Sequence, residues 1–220
     1  LYIESLEVHA DIDTGQLRVA AQVVNQSRVD ASYPLKVSVT GLHVGDEALA
    51  CAPVSFESEI NHIPAKGTCR CEAIGFMKAP RLWSPDAPFL YDLDVSIATD
   101  AVSTYCAYRL FDVEHDPAGH VQEKIICLNH EPFFMRGVLD QGYWPDGLLT
   151  APSEEALAFD IRLARNLGFN TMRKHLKVES ARWYYLCDVM GMVVWQDMVN
   201  GGAREYPALY TSYVPTMVPW

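Results

Sequence analysis

Three short stretches in the second half of the chain gather the residue types that do chemistry. They are Asp140-Gln141-Gly142-Tyr143-Trp144, Arg173-Lys174-His175 and Trp195-Gln196-Asp197. Each closes a short apolar strand, and two amphipathic segments lie between them. A β-α-β-α-β order implies parallel strands with right-handed crossovers, and ligands of such sheets collect at the carboxyl ends of the strands. Asp140 and Asp197 have two readings. As a pair they offer an acid and a base; singly they accept hydrogen bonds from ligand hydroxyls or orient Arg173. Arg173 can pair with a reacting carboxylate and lower its pKa, or form an ordinary ion pair at the rim of the sheet. His175 is either a ligand contact or a satisfied structural histidine. Trp144 and Trp195 present flat apolar faces on which a ligand can stack. Trp183 lies on a helix stripe and reads as core.

The elements that must position these residues are legible. Ser153 predicts an N-cap for a helix running to about Leu167, with Glu154 and Glu155 in the turn where the dipole favours acids. Leu157, Ile161, Ala164 and Leu167 form its apolar stripe and Gly168 its stop. Phe169–Arg173 reads as the second strand. A second helix spans about Glu179 to Met190, buries Trp183, Leu186, Cys187 and Met190, and stops at Gly191. Met192–Trp195 is the third strand, apolar on both faces. After Asn200-Gly201-Gly202 no regular structure is assigned.

The first half alternates with a period of two. Strands are expected at Tyr2–Val8, Gln16–Val24, Leu35–Val39, Val54–Ile60, Thr68–Ala73, Phe89–Ile97 and Thr104–Leu110. About seven short strands with turns between them predict an immunoglobulin-like β-sandwich over residues 1–111. Residues 112–130, with an Asp116–Gly119 turn and a Lys124–Leu128 strand, read as a hairpin that caps the α/β part. The second domain is therefore placed at 112–220.

The formal net charge of −11 argues against nucleic acid and anionic membrane as partners, since both need a basic surface. No apolar run is long enough to span a bilayer. Cys69 and Cys71 fall on one face of one strand, a poor disulfide and a poor zinc clip, so all six cysteines are expected as reduced thiols in a cytoplasmic protein. His43, His62, His115, His120 and His130 lack ligand spacing. With no glycine-rich phosphate loop, serine elbow or metal cluster in the sequence, no cofactor and no metal are expected. Leu1 and Trp220 both read as cuts within a longer protein. An apolar third strand with an open edge raises homo-oligomerisation.

Several motifs together resemble glycoside hydrolase family 2. Leu82-Trp83-Ser84-Pro85-Asp86-Ala87-Pro88-Phe89-Leu90-Tyr91 is similar to the stretch closing that family's immunoglobulin-like domain. Cys127–Val138, with Asn129-His130-Glu131-Pro132-Phe133-Phe134-Met135-Arg136-Gly137, resembles the opening of its (β/α)8 TIM barrel. Phe169-Asn170-Thr171-Met172-Arg173 resembles the second barrel strand, Tyr185-Leu186-Cys187-Asp188 the second helix, and Val194-Trp195-Gln196-Asp197 the third-strand end. The resemblance implies a sandwich followed by the first three β/α units of the barrel. It also implies a retaining exo-glycosidase acting on terminal β-galactosides, β-glucuronides or β-mannosides. Such enzymes use two carboxyls about 5–5.5 Å apart. In the family these are glutamates after the fourth strand and near the seventh, so no catalytic residue is expected within these 220 residues. Asp140, Arg173, His175, Trp195 and Asp197 are then the expected sugar-binding residues. In several members a histidine stands three residues after the strand-two arginine; here His175 stands two after it. The alternative is a non-catalytic carbohydrate-binding or scaffold module built from the same domains.

Overall fold

Alternation of apolar and polar residues becomes strand after strand in the first half. The strands are β1 (Tyr2–Ala10), β2 (Gln16–Val24), β3 (Ala31–Val44), β4 (Glu47–Leu49), β5 (Val54–Ile63), β6 (Thr68–Phe76), β7 (Phe89–Ile97) and β8 (Asp100–Cys106). The computed structural model describes residues 1–45, 47–115, 119 and 124–199. Strands β1-β2-β6 form one antiparallel sheet; β4-β3-β7-β8, with β5 also on β3, form another. In β7 the inward positions Tyr91, Leu93, Val95 and Ile97 are buried and alternate with Asp92, Asp94 and Ser96. They meet Leu17, Val19 and Val23 from β2 in one core. Pro34 is tolerated in β3 because the pairing with β5 shifts register there.

The last strand of this set starts earlier than expected, at Asp100 rather than Thr104. Ile97 pairs with Asp100, which leaves a two-residue connection at Ala98-Thr99, with Ala98 at φ +54°. The usual Asn-Gly or Asp-Gly signature of such a turn is missing, so the hairpin was hidden from the sequence.

β9 (Phe111–His115), β10 (Lys124–Leu128) and the two-residue β11 (Glu131–Pro132) form a small sheet in the order β11-β10-β9. Contacts divide the described residues into one unit of Leu1–Trp83 and Phe89–Glu131 and another of Ser84–Pro88 with residues 132–199. By contacts the hairpin counts with the first unit, which extends about twenty residues past position 111. Side chains explain it. Asn129 accepts from the Leu110 N–H at 3.0 Å and donates to the Trp83 carbonyl at 3.0 Å. His130 reaches Glu114 and Asp13, each at 2.8 Å.

The second unit contains β12 (Gly137–Asp140), α1 (Glu154–Asn166), β13 (Thr171–Lys174), α2 (Ala181–Met190) and β14 (Val193–Gln196). The strands run parallel in the order β12-β13-β14. Ser153 caps α1, its Oγ accepting from the Ala156 N–H at 3.2 Å. Gly191 ends α2 in the left-handed region at φ +70°, where a Cβ would also lie 2.1 Å from the Pro85 carbonyl oxygen. Leu157, Ala158, Ile161 and Ala164 are the buried stripe of α1; Leu167, past the last helical turn, is 68 % exposed. Trp183, Leu186 and Cys187 join that core, and Met190 packs at its margin. Among the described residues no helix is long and apolar enough to cross a membrane. The Asp116–Pro117–Ala118 part of the expected turn, His120 and the residues from Asn200 on lie outside the described residues.

Candidate functional site

Side chains alternate across a strand, so the parallel sheet carries two different surfaces to its carboxyl end. The registers place Leu139, Arg173 and Trp195 side by side, and Asp140, Lys174 and Gln196 side by side. The second row faces the helices: the Lys174 ammonium lies 4.1 Å from the ring centre of Trp183 on α2. The first row faces away from them, with Leu139 53 % and Trp195 50 % exposed.

Asp197, two residues after Trp195, belongs to the open face. Arg173 Nε donates to its two carboxylate oxygens at 3.0 and 3.2 Å, and Nη2 lies 3.0 Å from Oδ2. Its backbone is fixed as well, since the Asp197 N–H donates to the Lys174 carbonyl at 3.0 Å. A guanidinium gripping a carboxylate through two of its nitrogens fixes that carboxylate in one rotamer. Trp195 stands next to this pair with half of its surface uncovered. An indole face beside polar groups fixed at hydrogen-bonding distance suits a ligand with one apolar face and a ring of hydroxyls.

Asp140 lies at the same end of the sheet but on the helix side. Its Oδ2 accepts from Lys174 Nζ at 2.6 Å and its Oδ1 from the Gly142 N–H at 2.8 Å. The reading of Asp140 and Asp197 as one acid–base pair does not fit, because the alternation of the strands puts them on opposite faces, each against its own cation. A cleft of about 440 Å³ opens beside β12 with Asp140, Tyr143 and Asp160 on its wall. Burial, helped by the charge of Asp140, raises the pKa of Asp160 above the ordinary carboxylate range, with Lys174 opposing. His175 is part-buried; its N–H donates to the Asp140 carbonyl at 2.9 Å, and its Nδ1 is 3.3 Å from the Gln141 amide nitrogen. Its ring thus has a neighbour within the rim. Trp144 packs against the helix core rather than standing clear of it.

Sequence reasoning missed several residues that build this rim. Asn170, 5 % exposed, accepts from the Arg136 N–H at 2.8 Å and donates to the Phe134 carbonyl at 3.0 Å, which anchors the chain leading into β12. Tyr184 donates to Gln196 Oε1 at 2.5 Å and accepts from the Glu179 N–H at 3.2 Å. Gln196 Nε2 donates to the carbonyls of Lys177 and Asp197 at 2.9 and 2.7 Å. Lys174 is 1 % exposed and Lys177 Nζ donates to the carbonyls of Gly142 and Leu149 at 3.0 and 2.7 Å. Only the identity of Asn170 within an Asn-Thr-Met-Arg strand offered a signal. Among the described residues no group of three or more His, Cys, Asp or Glu is arranged to hold a metal ion.

Comparison with known proteins places both halves. Glycosyl hydrolases family 2 matches residues 1–109, and the TIM barrel domain of glycosyl hydrolases family 2 matches residues 120–209. A β-galactosidase from Leuconostoc mesenteroides is 27 % identical over 95 % of this chain, which spans 19 % of that protein's length. A β-glucuronidase from Bacteroides uniformis superposes with a TM-score of 0.71 at 18 % identity, covering 90 % of this chain and 24 % of its own. A family 2 member from Bacteroides cellulosilyticus superposes with a TM-score of 0.74 at 20 % identity, covering 96 % of this chain and 29 % of its own.

Proposed function

This chain belongs to glycosyl hydrolases family 2, and from that premise we propose that it supplies the sandwich and the opening of the barrel to a longer retaining exo-glycosidase acting on terminal β-glycosidic bonds. In this reading the first unit is the immunoglobulin-like domain. The strands β12, β13 and β14 are the first three of the (β/α)8 barrel, and their open face is its interior. The observation that carries the reading is the position of Arg173, Asp197 and Trp195 together on that face, at the carboxyl end of parallel strands. Asp197, held in place by Arg173, accepts hydrogen bonds from sugar hydroxyls, and Trp195 stacks on the pyranose ring. His175 contacts substrate from the second connection, while Asp140, turned toward the helices, bears on the site through Lys174. The acid/base and the nucleophile are glutamates contributed after the fourth strand and near the seventh, outside these 220 residues.

The likeness to a β-galactosidase supports a carbohydrate as the substrate. A panel of nitrophenyl β-glycosides offered to the longer polypeptide tests the reading. Turnover of one of them, with the β-anomer as first product, supports it. Sugar binding without turnover supports the carbohydrate-binding module instead. Location in the cytoplasm is proposed with it, on six cysteines that pair with none of one another in the structure, four of them buried. Thiol titration of denatured, unreduced protein should count six, and a count of four or fewer would reject a reducing compartment.

A further inference from the structure

Lysine normally keeps its ammonium in water, and a buried charge is costly unless it is paired. Lys174 is nonetheless enclosed, 1 % exposed, among residues from three different elements. Its Nζ donates to Asp140 at the end of β12 at 2.6 Å and to Glu179 ahead of α2 at 3.0 Å, and lies over the Trp183 ring. A second lysine extends the cluster: Lys177 Nζ is 2.7 Å from Glu179 Oε1. Gly142 is held by both of its backbone groups, its N–H by Asp140 and its carbonyl by Lys177. Its φ of +65° favours glycine, and a Cβ there would lie 2.6 Å from Glu179 Oε1 and displace the carboxylate from the cluster. Two cations and two carboxylates thus bind the β12–α1 connection to the β13–α2 connection.

Packing alone does not call for this arrangement. Replacing buried ion pairs by apolar groups of similar shape is often neutral or stabilising, so a lysine here fixes one geometry at some cost in stability. That geometry is passed on directly. Lys174 and Arg173 are adjacent on β13 and face opposite sides, so anchoring one fixes the direction of the other. The Lys174 carbonyl also receives the Asp197 N–H.

We infer that Lys174 is a positioning residue: from the helix side of β13 it locks the first two βα connections and so holds Arg173 and Asp197 where the ligand of the open face meets them. This deepens the glycosidase reading and rests on it for the identity of the ligand. The test uses Lys174→Met, and Glu179→Gln as the milder variant that keeps Lys174 paired with Asp140. In the 220-residue chain, amide exchange at Gly142, His175 and Asp197 should accelerate about tenfold in Lys174→Met while α1 and β2 keep their rates. Acceleration spread evenly over α1, α2 and the parallel strands would overturn the inference, because it would report lost stability alone. Should Lys174→Met fail to fold, Glu179→Gln should show a smaller acceleration confined to the same amides, and unchanged rates there would overturn the inference. In the longer enzyme, kcat per folded molecule should fall about 100-fold in Lys174→Met with KM changed less than about threefold. An unchanged kcat would also overturn it. If the unmodified enzyme turns over no glycoside, the glycosidase reading fails, while the exchange pattern still decides the role of Lys174.

Discussion

The guanidinium of Arg173 is committed to Asp197, with Nε and Nη2 both within 3.2 Å of its carboxylate. The sequence left open whether this arginine orients a reacting carboxylate or closes an ion pair at the rim. Within the described residues it closes an ion pair, and its partner comes from the neighbouring parallel strand. One edge of the guanidinium is occupied by Asp197, which presents a fixed carboxylate to the open face.

Breaking this pair should separate activity from stability. The Arg173 side chain is 56 % exposed and that of Asp197 12 %, so only the arginine end of the pair is well screened. Arg173→Ala and Asp197→Asn should therefore lower the melting temperature of the chain by only a few degrees. In the longer enzyme each should lower kcat by about 100-fold or more, as expected when a fixed polar group is lost from a site. Full activity in Arg173→Ala, assayed with the best nitrophenyl glycoside, would remove this residue from the site.

Trp183 should behave in the opposite way. Its indole is 2 % exposed, packs edge-on against Tyr184 at 5.1 Å and carries the Lys174 ammonium on its face. Truncation of a buried tryptophan costs about 3–5 kcal/mol. Trp183→Ala should lower the unfolding free energy of the second unit, read from urea titration, by that amount, while the exchange rates of β2 and β7 stay unchanged.

His130 should make the hairpin of β9 and β10 sensitive to pH. Its two ring nitrogens lie 2.8 Å from Asp13 and Glu114, and both contacts are hydrogen bonds only when the ring is protonated. The hydrogen bond with Asp13, then that with Glu114, raises its pKa above the ordinary imidazole value. A folded-state pKa above the unfolded one means that the contribution is complete below about pH 6.5 and is lost as pH rises through the raised value. NMR titration of His130 should give a pKa above that of a model histidine, and Asp13→Asn and Glu114→Gln should each lower it. A value at or below the ordinary one would show that the two contacts do not persist in solution.

How far the sequence reached depends on the range of each interaction. The caps at Ser153 and Gly191, the helix stripes and the parallel order follow from neighbours a few residues apart, and their signals are local. Element order puts Asp140, Arg173 and Asp197 together at one end of the sheet, but not on one face: the pleat turns Asp140 to the helix side and leaves Asp197 beside Arg173. Lys174 was not legible. A lysine after a strand reads as solvated, and its burial depends on Asp140, 34 residues earlier, and on a ring in the next helix. The attachment of the hairpin was hidden for the same reason: His130 acts on Asp13, 117 residues away.

The 220-residue chain by itself should hydrolyse no glycoside, and its parallel sheet should be the weaker part. Retaining cleavage needs two carboxyls about 5–5.5 Å apart facing one bond. The strand-end carboxylates here lie on opposite faces, Asp140 bound to Lys174 and Asp197 to Arg173. In the proposed reading the reacting glutamates come from later strands. Stability points the same way. Among the described residues β12 and β14 are the edges of a three-stranded parallel sheet, and Leu139 and Trp195 leave half of their surface exposed beside them. Such edges recruit further strands. Sedimentation should therefore show self-association that depends on concentration. Hydrogen exchange should protect β2 and β7 more strongly than β12, β13 and β14. Measurable turnover of any aryl β-glycoside by the purified chain would contradict the placement of the catalytic acids. Equal, strong protection of both units in a monomer would contradict the argument from open edges.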